Sequence, residues 1–542
     1  MTNSIPEIRE TDLLFVIGSN TTEAHPIIAM EMKRAVQRGA TLIVADPRAI
    51  WLSEVADIYM QLKPGTDVWL LNAMAHVIIN EGLCDETFIT EHTENFESVR
   101  AGVQDYTPEG AEEITGVPAE LIRQAARQYA TTKKAGIYYT LGITEHTHGT
   151  DNVYGLANLV LMTGHLGVRS AGMNPLRGQN NVQGANDAGA SPIYYPGYQR
   201  VTDPAAQKHF EAAWGRPLSP RAGLNLNEMM HELGDKGRIK ALFVMGEDIV
   251  LSEPNAAQVE AGLNGCEFMV VQDILPTESM RFADVILPAA CFAEKDGVFT
   301  NSDRRVQRVR KAVEPPGMAR ADWEILCDIA REAGYPMPHY QDPGEIYAEM
   351  ARLSPKFSGI SHERINAEGG LQWPCTDETH PGTPTLHEGT PLRGKALFQA
   401  VDYRPSAELP DNEFPLILST GRTLYHYNAG TQTRRDPGPV ARQPGNFLEI
   451  HRRDARKRGF SDGEMVRVIS RRGAVEASIQ VSPRMRPGCV WMPMHFSESR
   501  ANLLTNDAGD EVTGTGEYKV CAVRVEALVP AVPASQPQPG AK

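Results

Sequence analysis

The chemistry of this chain is concentrated between Asn174 and Asp187, where nearly every side chain can donate or accept a hydrogen bond. The stretch combines one cation, Arg177, with two glycines and several amides, four of which lie close together: Gln179, Asn180, Asn181 and Gln183. Glycine lets a backbone approach a ligand closely, amides suit the edge of a heterocycle, and a guanidinium matches a carboxylate or phosphate. From composition alone, a ligand site and a polar loop capping a helix are about equally supported.

Further polar side chains fall where short apolar runs end. The run 12–17 ends at Gly18-Ser-Asn20, and the run 41–45 ends at Asp46. The Asp46 carboxylate can accept from two N–H groups of a guanine edge or from a ribose hydroxyl; the alternative is a solvated loop Asp beside a Pro turn. No G-x-G-x-x-G occurs here, so the pattern does not support a nicotinamide dinucleotide.

A parallel sheet would bring these strand ends together. The apolar periodicity predicts a strand over 12–17, a helix over about 25–38 and a strand over 41–45, followed by mostly helical residues 67–135 and a strand over 135–141. Such a β–α–β order predicts parallel strands with a binding crevice at their carboxyl ends. The first part of the chain is therefore predicted to be half of a doubly wound α/β protein.

A second α/β half follows the same logic. Strands are predicted over 238–245, 267–271 and 283–287, and each ends in a glycine, a proline or a polar pair. The two halves form a rough duplication of architecture, though not of sequence. One dinucleotide for each half is the natural inference.

The last part of the chain changes to short strands. Turn-rich residues 374–395 mark a domain boundary. Beyond them we predict a strand over 414–420, a strand entering a short Gly-capped helix over 447–459, and a hairpin of 464–470 with 474–482. This region is therefore predicted to be mainly β.

Composition and charge exclude several classes of protein. A chain of 542 residues, 41% hydrophobic and 22% charged, fits a multidomain globular enzyme. Its net charge of −15 argues against nucleic acid as a partner. No apolar run is long enough to span a membrane, and no secretory signal is apparent, which predicts a cytoplasmic protein. The seven scattered cysteines include no C-x-x-C pair, which argues against disulfides, structural zinc and an iron–sulfur cluster within this chain.

Glu145, His146 and His148 follow the predicted strand 135–141. Two imidazoles beside a carboxylate suggest metal ligation. In an extended segment these residues share a face but supply only two imidazoles, so a polar loop lining a cleft is the preferred interpretation. No residue is assigned as a metal ligand.

The stretch 174–187, together with Tyr195-Pro-Gly-Tyr198, closely resembles the active-site segment of molybdenum- or tungsten-dependent formate dehydrogenases. The resemblance extends from Met1 to about Val525. It implies that Arg177 lies beside the metal and holds the formate carboxylate, and that Gln179 lies against a pterin. It also implies a bis(molybdopterin guanine dinucleotide) cofactor and an electron-transfer partner subunit.

The resemblance implies further cofactor contacts in three groups. The first dinucleotide would be held by Gly18, Asn20, Glu23, Asp46, Arg48, Gly65 and Asp67, with Gly142 and Glu145 over the pterin. The second would be held by Gly246, Asp248, Gln272, Asp273 and Thr277. Cap residues reaching the cofactor would be Thr420, Arg422, His426, Tyr518 and Lys519. For Glu23 the alternative is a charge–dipole partner of a helix start, for Lys519 a solvated surface residue, and for His426 a structural role.

One departure from the family pattern concerns its front. Family members begin earlier, with a four-cysteine region for a 4Fe–4S cluster and then a metal-ligating Cys or selenocysteine followed by His; neither appears in this sequence. We therefore expect residues 1–542 alone not to oxidise formate. We also expect exposed apolar surface around 292–320 and 343–395, where the iron–sulfur region would pack.

The predicted fold class is α/β, with two doubly wound pterin-dinucleotide-binding domains followed by a C-terminal β-barrel cap of the double-psi type. The predicted boundaries are 1–179 and 180–340 for the two α/β domains, the second incomplete, 341–395 for a connector from the front domain, 396–528 for the cap and 529–542 for a disordered tail. Two other functions stay open: a molybdopterin enzyme acting on nitrate or a related oxyanion, and a non-catalytic cofactor-binding fragment.

Overall fold

The computed structural model describes residues 1–234 and 237–528; the predicted tail 529–542 lies outside them. In the first region the strands are β1 (Leu13–Ile17), β2 (Thr41–Ala45), β3 (Ile58–Met60), β4 (Thr93–Glu94), β5 (Ala135–Tyr139) and β6 (Gly172–Pro175). The helices there are α1 (Thr21–Ala24), α2 (Pro26–Gln37), α3 (Trp51–Glu54), α4 (Asp67–Asn80), α5 (Glu86–His92), α6 (Phe96–Gly102), α7 (Pro108–Thr115), α8 (Ala119–Thr131), α9 (Leu141–Thr144) and α10 (Gly149–Met162).

Five of these strands form one parallel sheet in the order β3-β2-β1-β5-β6. All five residues of β1 are buried, as expected for a central strand covered on both faces. Leu13, Phe15 and Ile17 pack on one face with α4, α8 and α10, while Leu14 and Val16 pack on the other with α2. The strand order reverses between β1 and β5, which opens a crevice at their carboxyl ends.

The second region begins with α11 (Val182–Asp187) and contains a smaller parallel sheet. Its elements in chain order are β7 (Tyr194–Tyr195), β8 (Gln199–Arg200), α12 (Pro204–Trp214), α13 (Leu226–His231), β9 (Ala241–Met245), α14 (Ile249–Ser252), α15 (Ala256–Asn264), β10 (Phe268–Asp273) and β11 (Val285–Pro288). The sheet order is β11-β10-β9, all parallel. Alternate residues of β9 are buried and exposed, so one face of this sheet carries exposed apolar side chains, among them Phe243, Phe268 and Val285.

A small α+β unit follows the second sheet. It comprises β12 (Gly297–Thr300), β13 (Arg305–Val309), α16 (Asp322–Glu332), α17 (Pro343–Leu353), α18 (His362–Glu368) and β14 (Leu371–Gln372). Because β14 pairs with β13, residues 341–395 share a core with part of the segment before residue 340. Exposed large apolar side chains occur in both of the expected ranges, Phe292, Val313 and Met318 in 292–320 and Leu392 in 343–395. The packing of another region against them stays a prediction.

The chain then closes a six-stranded barrel. Its elements are β15 (Ala396–Leu397), which pairs with β4 of the first region, then β16 (Leu416–Gly421), α19 (Pro437–Arg442), β17 (Phe447–His451), α20 (Arg452–Arg458), β18 (Met465–Ile469), β19 (Ala474–Ser482), β20 (Cys489–Pro493) and β21 (Cys521–Ala527). The barrel order is β16-β20-β17-β19-β18-β21. The predicted hairpin is present as β18 with β19, and α20 ends at Gly459, whose φ of 76° suits glycine.

The α/β fold class with a C-terminal barrel is thus confirmed. None of the described helices combines the length and the apolar character that crossing a bilayer requires. The barrel lies over the carboxyl ends of the first sheet, because its residues 419–422, Trp491 and Lys519 share one cleft with the loops after β1, β2 and β5.

Candidate functional site

The cleft between the first sheet and the barrel collects the residues predicted for the first dinucleotide and its pterin, together with three of the predicted cap residues. These twelve are Gly18, Asn20, Glu23, Asp46, Arg48, Gly65, Asp67, Gly142, Glu145, Thr420, Arg422 and Lys519. The first nine follow strand ends of one parallel sheet or the loops beside them, and the last three come from the barrel. Since parallel strands end at a common edge, the fold places these distant residues around one space.

The floor of the cleft is a contact between two glycines. The Gly142 N–H donates to the Gly18 carbonyl at 3.2 Å, and the Thr140 hydroxyl donates to the same oxygen at 2.7 Å. A Cβ on Gly18 would lie 2.8 Å from the Gly142 carbonyl carbon, and the Gly18 φ of +55° also favours glycine. Both positions therefore need glycine to keep the cleft open. The nearby Asn20 Nδ2 is buried without a hydrogen-bond partner among the described residues.

Two carboxyl groups line the cleft, that of Asp67, which is a buried residue, and that of Asp46, which is a partly buried one. Burial raises the Asp46 pKa to about 6, although the Arg48 N–H hydrogen bond opposes the shift. Burial also raises the Asp67 pKa to about 7, and the charge of Asp46 adds to it. Both carboxyls therefore lack a compensating cation strong enough to keep their pKa low. A ligand that donates hydrogen bonds would stabilise their ionised forms.

We expect Asp67→Asn to stabilise the cofactor-free chain at pH 8 by about 2–4 kcal/mol. The pKa of Asp67 in the folded chain lies above the ordinary value of 3.8 for this carboxyl. The wild type therefore has its full stability below about pH 4 and loses it as the pH rises through about 7. Urea unfolding of both proteins at pH 8 and pH 4 measures the difference. It should shrink toward pH 4, and the exposed-site control Asp105→Asn should show no such trend. An equal difference at both pH values contradicts the expectation.

The cations at the cleft are held in different ways. Arg48 donates from Nε to Glu449 at 2.7 Å, with side chains 9% and 0% exposed, and its guanidinium lies 3.9 Å from the Trp491 ring centroid. Lys519 pairs with Glu145 at 2.6 Å and also donates to the Thr420 carbonyl at 3.1 Å. Lys519 is therefore neither a solvated surface residue nor free of a counter-charge in this structure.

Two histidines at the cleft are neutral for reasons that the structure makes clear. Burial and the neighbouring His148 lower the pKa of His146 to about 3. Its Nε2 lies 3.0 Å from the Gly142 carbonyl, and its Nδ1 has no hydrogen-bond partner among the described residues, although Glu517 Oε1 lies 3.9 Å away. His25, which the sequence interpretation missed, has its pKa lowered by burial and has Nε2 2.7 Å from the Arg177 carbonyl. A carbonyl only accepts, so Nε2 carries the proton in each ring and Nδ1 can accept from a ligand.

His146 and His148 do not lie on an extended segment. The one-turn helix α9 follows β5, and a turn then leads into α10; the close contact of Gly142 with Gly18 makes the chain turn here. The two rings stack with centroids 5.4 Å apart and are both buried. The preferred interpretation of the Glu145–His148 loop as part of a cleft agrees with the position of Glu145 and His146.

Arg177 lies at the edge of this cleft, on the loop after β6. The residues on either side of it, Leu176 and Gly178, line the cleft, whereas the Arg177 side chain is exposed. Its backbone is fixed by His25 at the carbonyl and by the Ser302 hydroxyl, which accepts from the N–H at 3.1 Å. Its Nε–H donates to Gln183 at 3.2 Å. Within residues 1–234 and 237–528, no acidic side chain forms an ion pair with it.

The five residues predicted to hold the second dinucleotide lie outside the first cleft. Gly246, Asp248, Gln272, Asp273 and Thr277 gather at the carboxyl ends of β9 and β10. Asp248 accepts from the N–H groups of Glu278 and Ser279 and from the Ser279 hydroxyl, while Gln272 Oε1 and Thr277 Oγ1 are buried without partners in the described chain. This cluster has polar atoms available to a ligand, but Asp248 is already occupied.

Three further predicted contacts, Gln179, His426 and Tyr518, do not line the first cleft. His426 is buried with both ring nitrogens near acceptors or hydroxyls of its own barrel region, Gln443 and Thr433. Burial raises the pKa of Tyr518 well above its usual value. Their contacts with a cofactor stay predictions.

The donor set of the cleft fits a guanine dinucleotide. Asp46 and Asp67 can accept from a guanine edge or ribose hydroxyls, Arg48, Arg422 and Lys519 can bind a pyrophosphate, and the Gly18–Gly142 floor keeps side chains out of its path. Unpartnered atoms of Asn20, His25, His146 and Arg422 surround the same space, and native proteins rarely leave such atoms unused. In the described part of the chain, no group of three His, Cys, Asp or Glu side chains could hold a metal ion.

Comparisons with known proteins agree with this geometry. The molybdopterin oxidoreductase family profile matches residues 1–332, and the molydopterin dinucleotide binding domain profile matches residues 416–522. The second match coincides with the barrel that covers the cleft.

Relatives of known function match nearly the whole chain. The chain is 46% identical over 531 residues to the F420-dependent formate dehydrogenase subunit alpha of Methanocaldococcus jannaschii. This alignment covers 97% of the chain and 78% of the relative. The chain is 41% identical over 536 residues to formate dehydrogenase H of Escherichia coli, covering 97% and 74%.

A solved structure shares the fold. Acetylene hydratase from Pelobacter acetylenicus matches with a TM-score of 0.74 at 20% identity, covering 97% of this chain and 81% of that chain; at this identity the likeness shows the fold alone. The family matches, the relatives and the cleft between sheet and barrel together show that this chain belongs to the molybdopterin oxidoreductase family.

Proposed function

We propose that this chain belongs to the catalytic subunit of a formate dehydrogenase, and that the complete subunit oxidises formate to carbon dioxide with a bis(molybdopterin guanine dinucleotide) cofactor of molybdenum or tungsten. The observation that carries the proposal is Arg177, an exposed guanidinium without an ion-pair partner among the described residues, fixed beside a cleft that fits a guanine dinucleotide. The relatives with formate dehydrogenase names support the choice of substrate.

When bound, the metal–pterin group would accept the two electrons of the reaction. The chain's own residues would bind and orient the pterin dinucleotide cofactor and the formate. Asp46 and Asp67 would hold the guanine and ribose of the first dinucleotide, and Arg48, Arg422 and Lys519 its pyrophosphate. Arg177 would bind the formate carboxylate through a planar fork and so fix the direction of its C–H bond, which is a positioning contribution.

The second dinucleotide would lie at the carboxyl ends of β9 and β10. Gly246 has a φ of +67° and open space at its Cβ position, and its N–H donates to the Gln272 carbonyl at 2.9 Å. The side-chain oxygens of Gln272 and Thr277 have no hydrogen-bond partner among the described residues. The names of the relatives describe an alpha subunit, which supports a partner subunit that takes the electrons onward. A 4Fe–4S cluster for this transfer stays a prediction from the resemblance.

The test compares formate with nitrate, since a nitrate reductase would share the fold and the dinucleotide sites. The complete cofactor-loaded enzyme should reduce an artificial dye with formate and should not oxidise a reduced dye with nitrate. Metal and pterin content are measured in the same preparation. Nitrate-dependent dye oxidation without formate-dependent reduction, at full cofactor content, would replace the proposal with an oxyanion reductase.

A further inference from the structure

The side chain of Arg177 is hydrogen-bonded to a buried polar network that lies outside the first cleft. Gln183 accepts the Arg177 Nε–H through Oε1 at 3.2 Å. Its own Nε2 donates to Asp187 Oδ1 at 3.0 Å and to the Tyr198 hydroxyl at 2.7 Å. Both Gln183 and Asp187 lie on α11 and are buried, with 4% and 1% exposed. Their spacing of four residues puts them on one face of that helix.

Asp187 fixes which end of the Gln183 amide faces Arg177. Its Oδ1 accepts from Gln183 and from the Tyr198 hydroxyl at 2.7 Å, and its Oδ2 accepts from Trp373 Nε1 at 2.9 Å. An ionised carboxylate can only accept, so the Gln183 NH2 must point toward it. The Gln183 oxygen is then the atom left for Arg177.

The network leaves one edge of the guanidinium free. A planar carboxylate can bind an arginine in a bidentate way through the Nε–Nη2 edge or through the Nη1–Nη2 edge. Gln183 occupies Nε, whereas neither Nη atom has a hydrogen-bond partner in the part of the chain that the structure describes. Only the Nη1–Nη2 edge can therefore receive both oxygens of a carboxylate.

Because the Gln183 side chain is an uncharged amide, it accepts from Arg177 without cancelling the positive charge of the guanidinium. In the described part of the chain, Asp187 is linked to Arg177 through this amide, and the two charges form no direct ion pair there. A carboxylate at position 183 would lie in contact with Nε and would pair with the guanidinium, since opposite charges in contact attract strongly. The amide thus holds the arginine in place without neutralising it.

We propose that Gln183, oriented by Asp187, is a positioning residue that occupies the Nε–H of Arg177, so that formate binds end-on to the Nη1–Nη2 edge of a guanidinium with an uncompensated charge. This inference rests on the proposed function, because it takes formate as the anion. It adds the binding edge, the orientation and a second residue that controls affinity.

The test uses the complete cofactor-loaded enzyme with the variants Gln183→Glu and Gln183→Met, and with Gln124→Glu as a matched control on the exposed face of α8. We expect Gln183→Glu to raise the formate KM at least about tenfold while kcat changes by less than about threefold, because it pairs with Arg177. Gln183→Met should raise KM less, because it removes an acceptor without adding a charge. Gln124→Glu should match the wild type.

The split between KM and kcat separates positioning from a structural role. Gln183→Glu also turns a carboxylate oxygen toward Asp187, where Gln183 now donates, so the urea unfolding midpoint and the metal content of each variant are measured as well. A positioning role raises KM and leaves kcat nearly unchanged, whereas a structural loss lowers kcat, the metal content and the unfolding midpoint together. A formate KM for Gln183→Glu within twofold of the wild type at full metal content, or a larger KM for Gln183→Met than for Gln183→Glu, overturns the proposal.

A second measurement does not depend on turnover. Phenylglyoxal modifies free guanidinium groups, and peptide mass spectrometry measures the rate at Arg177 with and without formate, in the absence of an electron acceptor. Formate should protect Arg177 in the wild type, and protection in Gln183→Glu should need at least about tenfold more formate. An unchanged protection curve overturns the positioning role. Protection of the wild type without any formate-dependent dye reduction would instead reject the proposed function and leave the anion-binding edge in place.

Discussion

Replacing Arg177 with lysine should lower kcat/KM for formate by roughly 100-fold in the complete enzyme. A lysine ammonium keeps the charge but loses the planar fork, so formate is no longer held through two oxygens in a fixed direction. It also cannot keep the geometry of the Nε contact with Gln183. Steady-state kinetics with formate and an artificial dye measure the effect.

Arg38→Lys is the matched control for this variant, because Arg38 is exposed after the end of α2. It should leave kcat and KM unchanged. Metal and pterin content must equal those of the wild type in both variants, so that a loss of rate reports substrate binding. Unaltered formate kinetics in Arg177→Lys would remove this arginine from the site.

Replacing Glu449 with alanine should destabilise the contact between the barrel and the first α/β domain by about 3–5 kcal/mol. Glu449 is fully buried and holds the Arg48 guanidinium at 2.7 Å, with Arg484 3.8 Å away on its other oxygen. Its loss leaves a buried cation without its counter-charge. Urea unfolding monitored by tryptophan fluorescence measures the change, since Trp491 lies against Arg48.

Two further variants test whether the unpaired buried charge of Arg48 causes the loss of stability in Glu449→Ala. Glu476→Ala removes an exposed glutamate of β19 in the same barrel and should change the unfolding midpoint little. The double variant Arg48→Met with Glu449→Leu removes both charges and should recover much of the lost stability, because a buried pair replaced by apolar groups is often neutral. A double variant less stable than Glu449→Ala alone would mean that Arg48 stabilises the fold by some other contact.

Several elements were predictable because their signal is local. The apolar run that became β1 is buried on both faces and reads as one uninterrupted hydrophobic segment. Helix α2 begins at Pro26, and proline suits the first turn of a helix. The alternation of apolar and polar residues on both sides of a Gly-containing turn predicted the β18–β19 hairpin. The strand ends then indicated where Gly18, Asn20 and Asp46 would gather.

Other features depend on contacts between distant residues. The boundary predicted near residue 340 does not show that β14 completes the sheet begun by β12 and β13. No sequence motif marks His25, because its contact is with the backbone carbonyl of Arg177, which lies 152 positions later in the chain. The pairing of Lys519 with Glu145 likewise joins the barrel to the loop after β5. No periodicity within either segment encodes such a contact.

By itself the sequence determined the α/β character of the front, the β character of the end, and the residue types that could bind an anion and a guanine nucleotide, because hydrophobic period and turn chemistry act over a few residues. The tertiary structure alone decided which of these residues meet. The Gly18–Gly142 floor, the Arg48–Glu449 pair across 401 positions and the amide orientation that frees one edge of Arg177 exist only once the sheet and barrel have packed. Burial and hydrogen-bond direction are properties of that packing, not of a residue type.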